Sequence, residues 1–302
     1  MRYYFNKIEK CEMCGDLTTK HKVLGQRLNS AQGMRPEKKT GISTTVQKCN
    51  VCGLIYANPQ PVPFDIADHY GIPPESYWHS AENEFFTWTP EYFSREISIL
   101  KKLMPIQNGA KALDVGAGLG KCMISLENAG FDVYGFEPSR PFYERAISEM
   151  KINPEKLKLG MLEEMEYERE YFDFITLGAV YEHLYEPSRA LEKALTWLKP
   201  GGIIHIEVPS SRYLISRLIN LYYKLRGTTF VSNISPMHPP FHLYEFDLKS
   251  FKELSKRLKY EIAYNYIFVG EILKLPSITH SSLKYVMKNT NSGMQLVVWL
   301  RK

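Results

Sequence analysis

The sequence predicts an α/β protein, a doubly wound and mostly parallel sheet preceded by a small metal-stapled module. Three observations carry that prediction. The first is an apolar strand, Ala112 to Val115, that breaks into Gly116, Gly118 and Gly120 and is followed by a helical stretch from Lys121 to Asn128. This is the strand, glycine turn and helix of a βαβ unit, which places a nucleotide at a helix N-terminus. The second is the alternation of further apolar strands with helical patterns downstream, the mark of a parallel sheet. The third is a pair of identical knuckles, Cys11-x2-Cys14-Gly15 and Cys49-x2-Cys52-Gly53, ahead of that core.

A chain of 302 residues is long for one minimal domain and short for three, so a catalytic domain with a smaller companion is expected. Its 44% hydrophobic and 24% charged residues are those of a globular protein with a real core, not of a disordered one. Neither a signal-peptide apolar region nor an uninterrupted apolar run of membrane-spanning length is present, so a cytoplasmic protein without membrane insertion is expected. The net charge of +5 is unevenly spread: +6 over residues 1–60, −4 over 61–108, −6 over 109–208 and +9 over 209–302. An acidic centre between basic flanks suits an anionic partner, whether nucleic acid or a nucleotide-linked sugar, and equally suits a solvated surface with no partner.

Taken in order, the knuckles come first. Each Cys-x2-Cys turns two thiolates onto one ion, and the following glycine relieves the turn. Cys11, Cys14, Cys49 and Cys52 complete a closed S4 site, with no open position for a reacting water, so the role is structural and the expected ion is Zn2+. A rubredoxin-like iron centre or a redox dithiol are the alternatives. Cys122, one turn into the helix after the glycines, reads as a small buried hydrophobe. Between the knuckles, Gln26 to Thr45 reads as a loop or weak hairpin. After them, Gly53 to Pro63 reads as an edge strand ended by three prolines that make a rigid connector.

Residues 64–93 are dense in aromatics, namely Phe64, Tyr70, Tyr77, Trp78, Phe85, Phe86, Trp88, Tyr92 and Phe93, with His69 and His79 among them. Such a segment serves as a wall over a site or as packing between two domains. The expected organisation is a zinc module over 1–60, an aromatic connector and leading helix over 61–108, and a nucleotide-binding domain over 109–302 with a substrate-side insert at 210–244.

From Pro90 to Met104, Phe93, Ile97, Leu100 and Leu103 fall at helical spacing, so a helix leads into the glycine-bearing strand. After the turn, Phe131 to Glu137 reads as a second strand ending in an acid. Glu137 lies about 20 residues beyond Gly116, where a carboxylate accepts both hydroxyls of a nucleotide ribose. Glycine spacing then selects among nucleotides. A dinucleotide fingerprint needs its third glycine three residues after the second, where Lys121 stands, so NAD is disfavoured. A helix from Pro141 to Met150 and a strand near Lys156–Leu159 precede Gly160-Met161-Leu162-Glu163-Glu164. The next strand, Tyr171 to Gly178, runs into Ala179-Val180-Tyr181-Glu182-His183-Leu184. A helical pattern from Arg189 to Leu198 ends at Lys199-Pro200-Gly201-Gly202, a turn that hands the chain to the strand Ile203–Pro209. A basic amphipathic stretch from Arg212 to Arg226 reads as a cap on the substrate side. The run Met237 to Tyr244 follows, then a helix over Asp247–Leu258 and strands over Tyr260–Val269 and Met294–Leu300.

Asp114-x-Gly116-x-Gly118-x-Gly120 resembles motif I of the class I S-adenosylmethionine-dependent methyltransferases. The strand ending in Glu182-His183-Leu184 resembles their motif IV, and Leu198-Lys199-Pro200-Gly201-Gly202 before an apolar strand is a further feature of that family. The resemblance covers about residues 90–270. It implies a seven-stranded Rossmann-like methyltransferase sheet, S-adenosylmethionine as cofactor, and cofactor contacts from Asp114, Gly116, Ala117, Gly118, Gly120, Glu137, Pro138, Met161, Leu162 and Gly178. Many members carry an Asp for the adenine amino group where this chain has Met161, so backbone groups near Leu162 or the Glu163 carboxylate read the adenine edge here. Together with the knuckles and Asn58-Pro59-Gln60-Pro61, the chain is similar to zinc-containing methyltransferases found with deoxysugar and surface-polysaccharide biosynthesis. Its C-terminal region is shorter than in the sugar C-methyltransferases of that group.

Methyl transfer from a sulfonium is an in-line displacement, and a hydroxyl or carbon acceptor must also lose a proton. His183, just after the motif IV strand, is the first candidate for the base, with Glu182 beside it; tying that turn together by hydrogen bonds is the alternative role of both. His242 is the second candidate, because its segment returns over the acceptor pocket. Tyr181 and His238 are weaker ones. The expected acceptor is a small molecule such as a sugar or nucleotide sugar. An RNA acceptor gripped by the zinc module is the alternative, against which stands Gly178-Ala179-Val180-Tyr181 in place of an Asn-Pro-Pro-Tyr type motif for a flipped base.

Overall fold

In the computed structural model, which describes residues 3–28, 42–74, 87–235, 239–272 and 276–302, the Cys-rich segment is built on short antiparallel strands. β1 (Tyr3–Asn6), β2 (Lys22–Leu28), β3 (Ser43–Lys48), β4 (Ile55–Ala57) and β5 (Gln60–Pro63) follow in order. The stretch Gln26–Thr45 supplies the facing ends of β2 and β3, with Gln26 opposite Thr45 and Leu28 opposite Ser43; residues between them lie outside the described ones. Two expectations are corrected here. The proline-rich run is not a bare connector, because Pro61 and Pro63 sit in β5 and pair with Phe5 and Tyr3 of β1. A two-strand ribbon tolerates proline, since each strand keeps one unpaired edge. Nor is β4 an edge strand: β3 flanks it on one side and a strand from the other half of the chain on the other.

Beyond β5 the chain forms α1 (Ile66–Tyr70) and α2 (Ser94–Leu103). The helical pattern from Pro90 takes hold only at Ser94, because Phe93 adopts a left-handed conformation, φ 61°. The core then alternates as β6 (Lys111–Val115), α3 (Lys121–Asn128), β7 (Asp132–Glu137), α4 (Arg140–Ser148), β8 (Leu157–Leu159) and β9 (Phe172–Gly178). It continues through α5 (Pro187–Trp197), β10 (Leu198–Pro209), α6 (Leu214–Leu225), β11 (Tyr244–Glu245), α7 (Leu248–Leu258), β12 (Glu261–Phe268), α8 (His280–Thr290) and β13 (Gln295–Arg301). Seven of these strands make one sheet in the order β12-β13-β10-β9-β6-β7-β8, antiparallel on both sides of β13 and parallel elsewhere. The sheet is the expected Rossmann-like methyltransferase fold. Strand order reverses beside β6, so the loops after β6 and β9 open a crevice at the carboxyl ends of the strands.

One turn is also corrected. Lys199 to Gly202 do not leave the sheet; they lie within β10 as a register irregularity between Leu198 and Ile203, with Gly201 at φ 77°. That is a bulge, and it lets α5 pass into β10 without a separate loop.

The module and the sheet share a hydrophobic core. Cys11, Met13, Val46, Leu54 and Tyr56 belong to the same buried cluster as Leu113, Ile175, Tyr181, Ile206 and Phe251. Polar ties add register: Ser188 Oγ donates to Glu12 at 2.9 Å, Ser250 Oγ to the Cys52 carbonyl at 3.1 Å, and Tyr185 to the Pro61 carbonyl at 2.9 Å. β11, from the C-terminal half of the chain, pairs with β4 and completes a four-stranded sheet, β11-β4-β3-β2.

Candidate active site

The crevice beside β6 is held by backbone bonds that follow from the glycine-rich sequence. The amides of Gly116 and Ala117 both donate to the Phe136 carbonyl, at 2.9 and 3.0 Å, and so lock the loop against the end of β7. Next to that carbonyl is Glu137, whose two carboxylate oxygens accept from the Gly118 amide at 2.7 Å and the Ser139 amide at 2.8 Å. Burial pushes its pKa up to about 7, while those two amides pull it down. Asp114 lies behind the loop, its Oδ2 without a hydrogen-bond partner among the described residues, and burial together with Glu137 pushes it up to about 8.

Two of the motif glycines do different jobs. Among the described residues a side chain at Gly118, φ 56°, would meet only Phe142 at 4.0 Å, so its bareness opens space. At Gly120, φ 79°, a Cβ would lie 2.5 Å from Ile152, so that glycine serves packing at the start of α3.

In front of the loop is a cavity of about 570 Å³, a size usual for small-molecule sites. Of the expected cofactor residues, Gly116, Ala117, Gly118, Glu137, Pro138, Met161, Leu162 and Gly178 line it, and Asp114 and Gly120 do not. The Met161 amide is taken by the Glu164 carboxylate at 3.2 Å, while Glu163 lines the wall. Sequence reasoning missed Val180, Phe142 and Lys121 as wall residues. Lys121 had a signal, standing directly after the third glycine. Phe142 had none, because its helix looks like any other.

The other end of the cavity is built by the short 3-10 turn Tyr181–His183 and the segment Pro240–Leu243. The Leu243 amide donates to the Glu182 carbonyl at 2.8 Å and fixes one against the other. His183 Nδ1 meets the Phe241 carbonyl at 2.9 Å, the ring of His242 packs edge-on to that of His183 at 4.7 Å, and His242 Nε2 stands 3.8 Å from Glu182 Oε1. Glu182 is buried, and burial pushes its pKa up to about 8. The structure thus brings His242 beside Glu182 and His183, neighbours in one turn from which it is distant in sequence. Tyr181 is corrected: it is fully buried, packs on Phe246 and Phe251, points its hydroxyl at Met13 Sδ 4.0 Å away, and does not line the cavity. His238 lies outside the described residues.

The aromatic segment divides its labour. Tyr70 and Tyr92 line the cavity, whereas Phe93 packs edge-on against His205 and Trp88 donates to Ser125. His69 is buried against Phe241, and burial lowers its pKa to about 4. Tyr77, Trp78, His79, Phe85 and Phe86 lie outside the described residues.

Away from the cavity, one sulfur from each of Cys11, Cys14, Cys49 and Cys52 lies within 4.8 Å of the other three. The pairs Cys11–Cys52 and Cys14–Cys49 are 3.5 Å apart, too far for a disulfide and close to the roughly 3.8 Å edge of a zinc–thiolate tetrahedron. All four thiols are free, so the donor set fits a tetrahedral ion.

Comparison with known proteins bears on the family and the fold. A family profile described as a methyltransferase domain matches residues 78–263. The demethylmenaquinone methyltransferase of Bacillus pumilus is 32% identical over 111 residues, 34% of this chain and 47% of that protein. The ubiquinone biosynthesis O-methyltransferase of Nitrobacter winogradskyi is 31% identical over 102 residues, 32% of this chain and 37% of that protein. The chain spans about half the length of such curated relatives or less. Among solved structures, phosphoethanolamine N-methyltransferase 2 of Haemonchus contortus, in complex with phosphomonomethylethanolamine and S-adenosylhomocysteine, shares the fold. Its TM-score is 0.52 at 17% identity, over 82% of this chain and 62% of that one. With a family match over more than half of its 302 residues, the chain belongs to the class I S-adenosylmethionine-dependent methyltransferases.

Proposed function

We propose that this methyltransferase acts on a small molecule with a hydroxyl-bearing acceptor, in the manner of a sugar, a nucleotide sugar or a related biosynthetic intermediate. The observation that carries the reading is one cavity with two unlike ends. The first end has the glycine loop and Glu137; the second has His183 and His242, with the buried Glu182 behind them at 3.8 Å from His242. When bound, S-adenosylmethionine supplies an electrophilic methyl group on its sulfonium. Glu137 accepts the ribose hydroxyls, the bare Gly118 admits the cofactor against the loop, and Met161 and Leu162 flank the adenine. Gly178, with nothing among the described residues within 4 Å of its missing side chain, leaves room between the two ends.

The acceptor enters beside Tyr70 and Tyr92 and meets the imidazole pair, which aids the departing proton either by taking it or by holding a cation that acidifies the acceptor. Relatives named for quinone intermediates support a small acceptor, and the net +9 of residues 209–302 supports an anionic one. The four cysteines hold Zn2+ as a structural ion, and their reduced state suits a cytoplasmic setting. Nucleic acid is not the favoured acceptor. The test is transfer of labelled methyl to a small-metabolite extract and to total RNA: label in the metabolite fraction is expected, and label in RNA alone would overturn the reading.

A further inference from the structure

We infer that Glu182, His183 and His242 form a binding site for a first-row divalent cation at the acceptor end of the cavity, distinct from the four-cysteine cluster. The inference rests on the methyltransferase reading of the same cavity and says how the acceptor is activated there.

Four observations converge. One donor atom from each of the three residues lies within 4.8 Å of the others, with His242 Nε2 and Glu182 Oε1 at 3.8 Å. Metal–ligand bonds of about 2.0–2.2 Å set neighbouring donors roughly 3–3.5 Å apart, so an ion draws them in by side-chain movement on the order of 1 Å. His183 Nδ1 lies 2.9 Å from the Phe241 carbonyl. Donation of one ring N–H to a backbone carbonyl is what fixes the tautomer of a ligating imidazole and leaves its other nitrogen as the ligand. Glu182 is 2% exposed and its Oε2 has no hydrogen-bond partner among the described residues. A buried carboxylate oxygen without a partner is costly, and a cation satisfies it. Finally, the three donors are positioned before any ligand arrives, because the Leu243 amide ties the His242 segment to the Glu182 carbonyl at 2.8 Å.

Two imidazoles and one carboxylate occupy three positions on one side of an ion and suit Mn2+, Fe2+, Co2+ or Zn2+. His183 and His242 line the cavity, so the remaining positions face the acceptor. The substrate class that fits is a chelating one, with two adjacent oxygens as in a vicinal diol or a hydroxy-carbonyl. On binding the ion, one acceptor hydroxyl loses its proton to water. Its oxygen then forms the O–CH3 bond while the S–CH3 bond breaks and its electron pair returns to sulfur. The products are a methyl ether, S-adenosylhomocysteine and one proton.

Mn2+ is the probe, since this hard ion does not displace a thiolate-bound metal. Its binding to the full chain is followed by loss of the free Mn2+ electron paramagnetic resonance signal, with S-adenosylmethionine binding measured in parallel. One Mn2+ per chain is expected, and His183→Ala, His242→Ala and Glu182→Gln should each weaken it about tenfold or more while binding S-adenosylmethionine as the parent does. Removal of loosely held cations by a chelator should stop methyl transfer, and Mn2+ should restore it. No bound Mn2+ in a protein that binds S-adenosylmethionine, equal Mn2+ binding in the variants, or full transfer after chelation would each overturn the cation site alone. Failure of the parent to bind S-adenosylmethionine at all would instead sink the functional reading beneath it.

Discussion

At Glu137 a single carboxylate does two jobs, closing the loop through the Gly118 and Ser139 amides and presenting its remaining lone pairs to the cavity. Hydrogen bonds to a charged group contribute about 1.5–3 kcal/mol each, so Glu137→Ala should weaken S-adenosylmethionine binding by about tenfold or more, read by calorimetry. An affinity unchanged by that substitution would remove Glu137 from the ribose site. The glycines beside it were legible as a motif, but their roles were not. Sequence spacing makes Gly118 and Gly120 look alike, and only the neighbours of each missing Cβ separate them. Gly118→Val should abolish cofactor binding in a folded protein. Gly120→Ala, pressed against Ile152, should instead lower stability by about 1–3 kcal/mol, seen in thermal melts.

The Tyr181–His183 turn illustrates what an element decides that a motif does not. Three consecutive residues read from the sequence as one acceptor-side group. The turn, however, sends Tyr181 into the core toward Met13 and leaves His183 at the cavity, because successive side chains of so tight a turn diverge. Tyr181→Ala should therefore cost about 3–5 kcal/mol of stability, as deletion of a buried aromatic ring does. Tyr181→Phe, which gives up only the hydroxyl facing a sulfur at 4.0 Å, should keep methyl transfer at the parental rate. A large fall in transfer with intact stability would return Tyr181 to the chemistry. The strands and helices of the core were legible because their apolar periodicity is strong. β11 and α8 were not: two residues carry no period, and α8 keeps only Met287 buried.

Across the whole molecule, the module and the sheet share one core, so the cysteine cluster supports the active site at a distance. This join was hidden from the sequence because it depends on Tyr244 and Glu245 reaching back to pair with Tyr56 and Ile55. The buried acids of the crevice give the molecule an uncommon pH response. In the folded chain Asp114 rises from 3.8 to about 8 and Glu137 from 4.5 to about 7, so the folded state holds protons that the unfolded state has released. Stability from this source is present at low pH and is lost as pH rises through those values. The Tm of the cofactor-free protein should accordingly fall by a few degrees between about pH 6 and about pH 8. A Tm that climbs over that window would mean that both carboxylates are already ionised. The central claim is that one cavity joins a donor end at Glu137 to an acceptor end at His183 and His242. It is tested most directly by following labelled methyl from S-adenosylmethionine into a small-metabolite extract, with the parent protein and with His183→Ala. Transfer by the parent, and a fall of about 100-fold or more in the variant with cofactor binding intact, is the predicted result. Equal transfer by both proteins, or none into any small molecule, would contradict it.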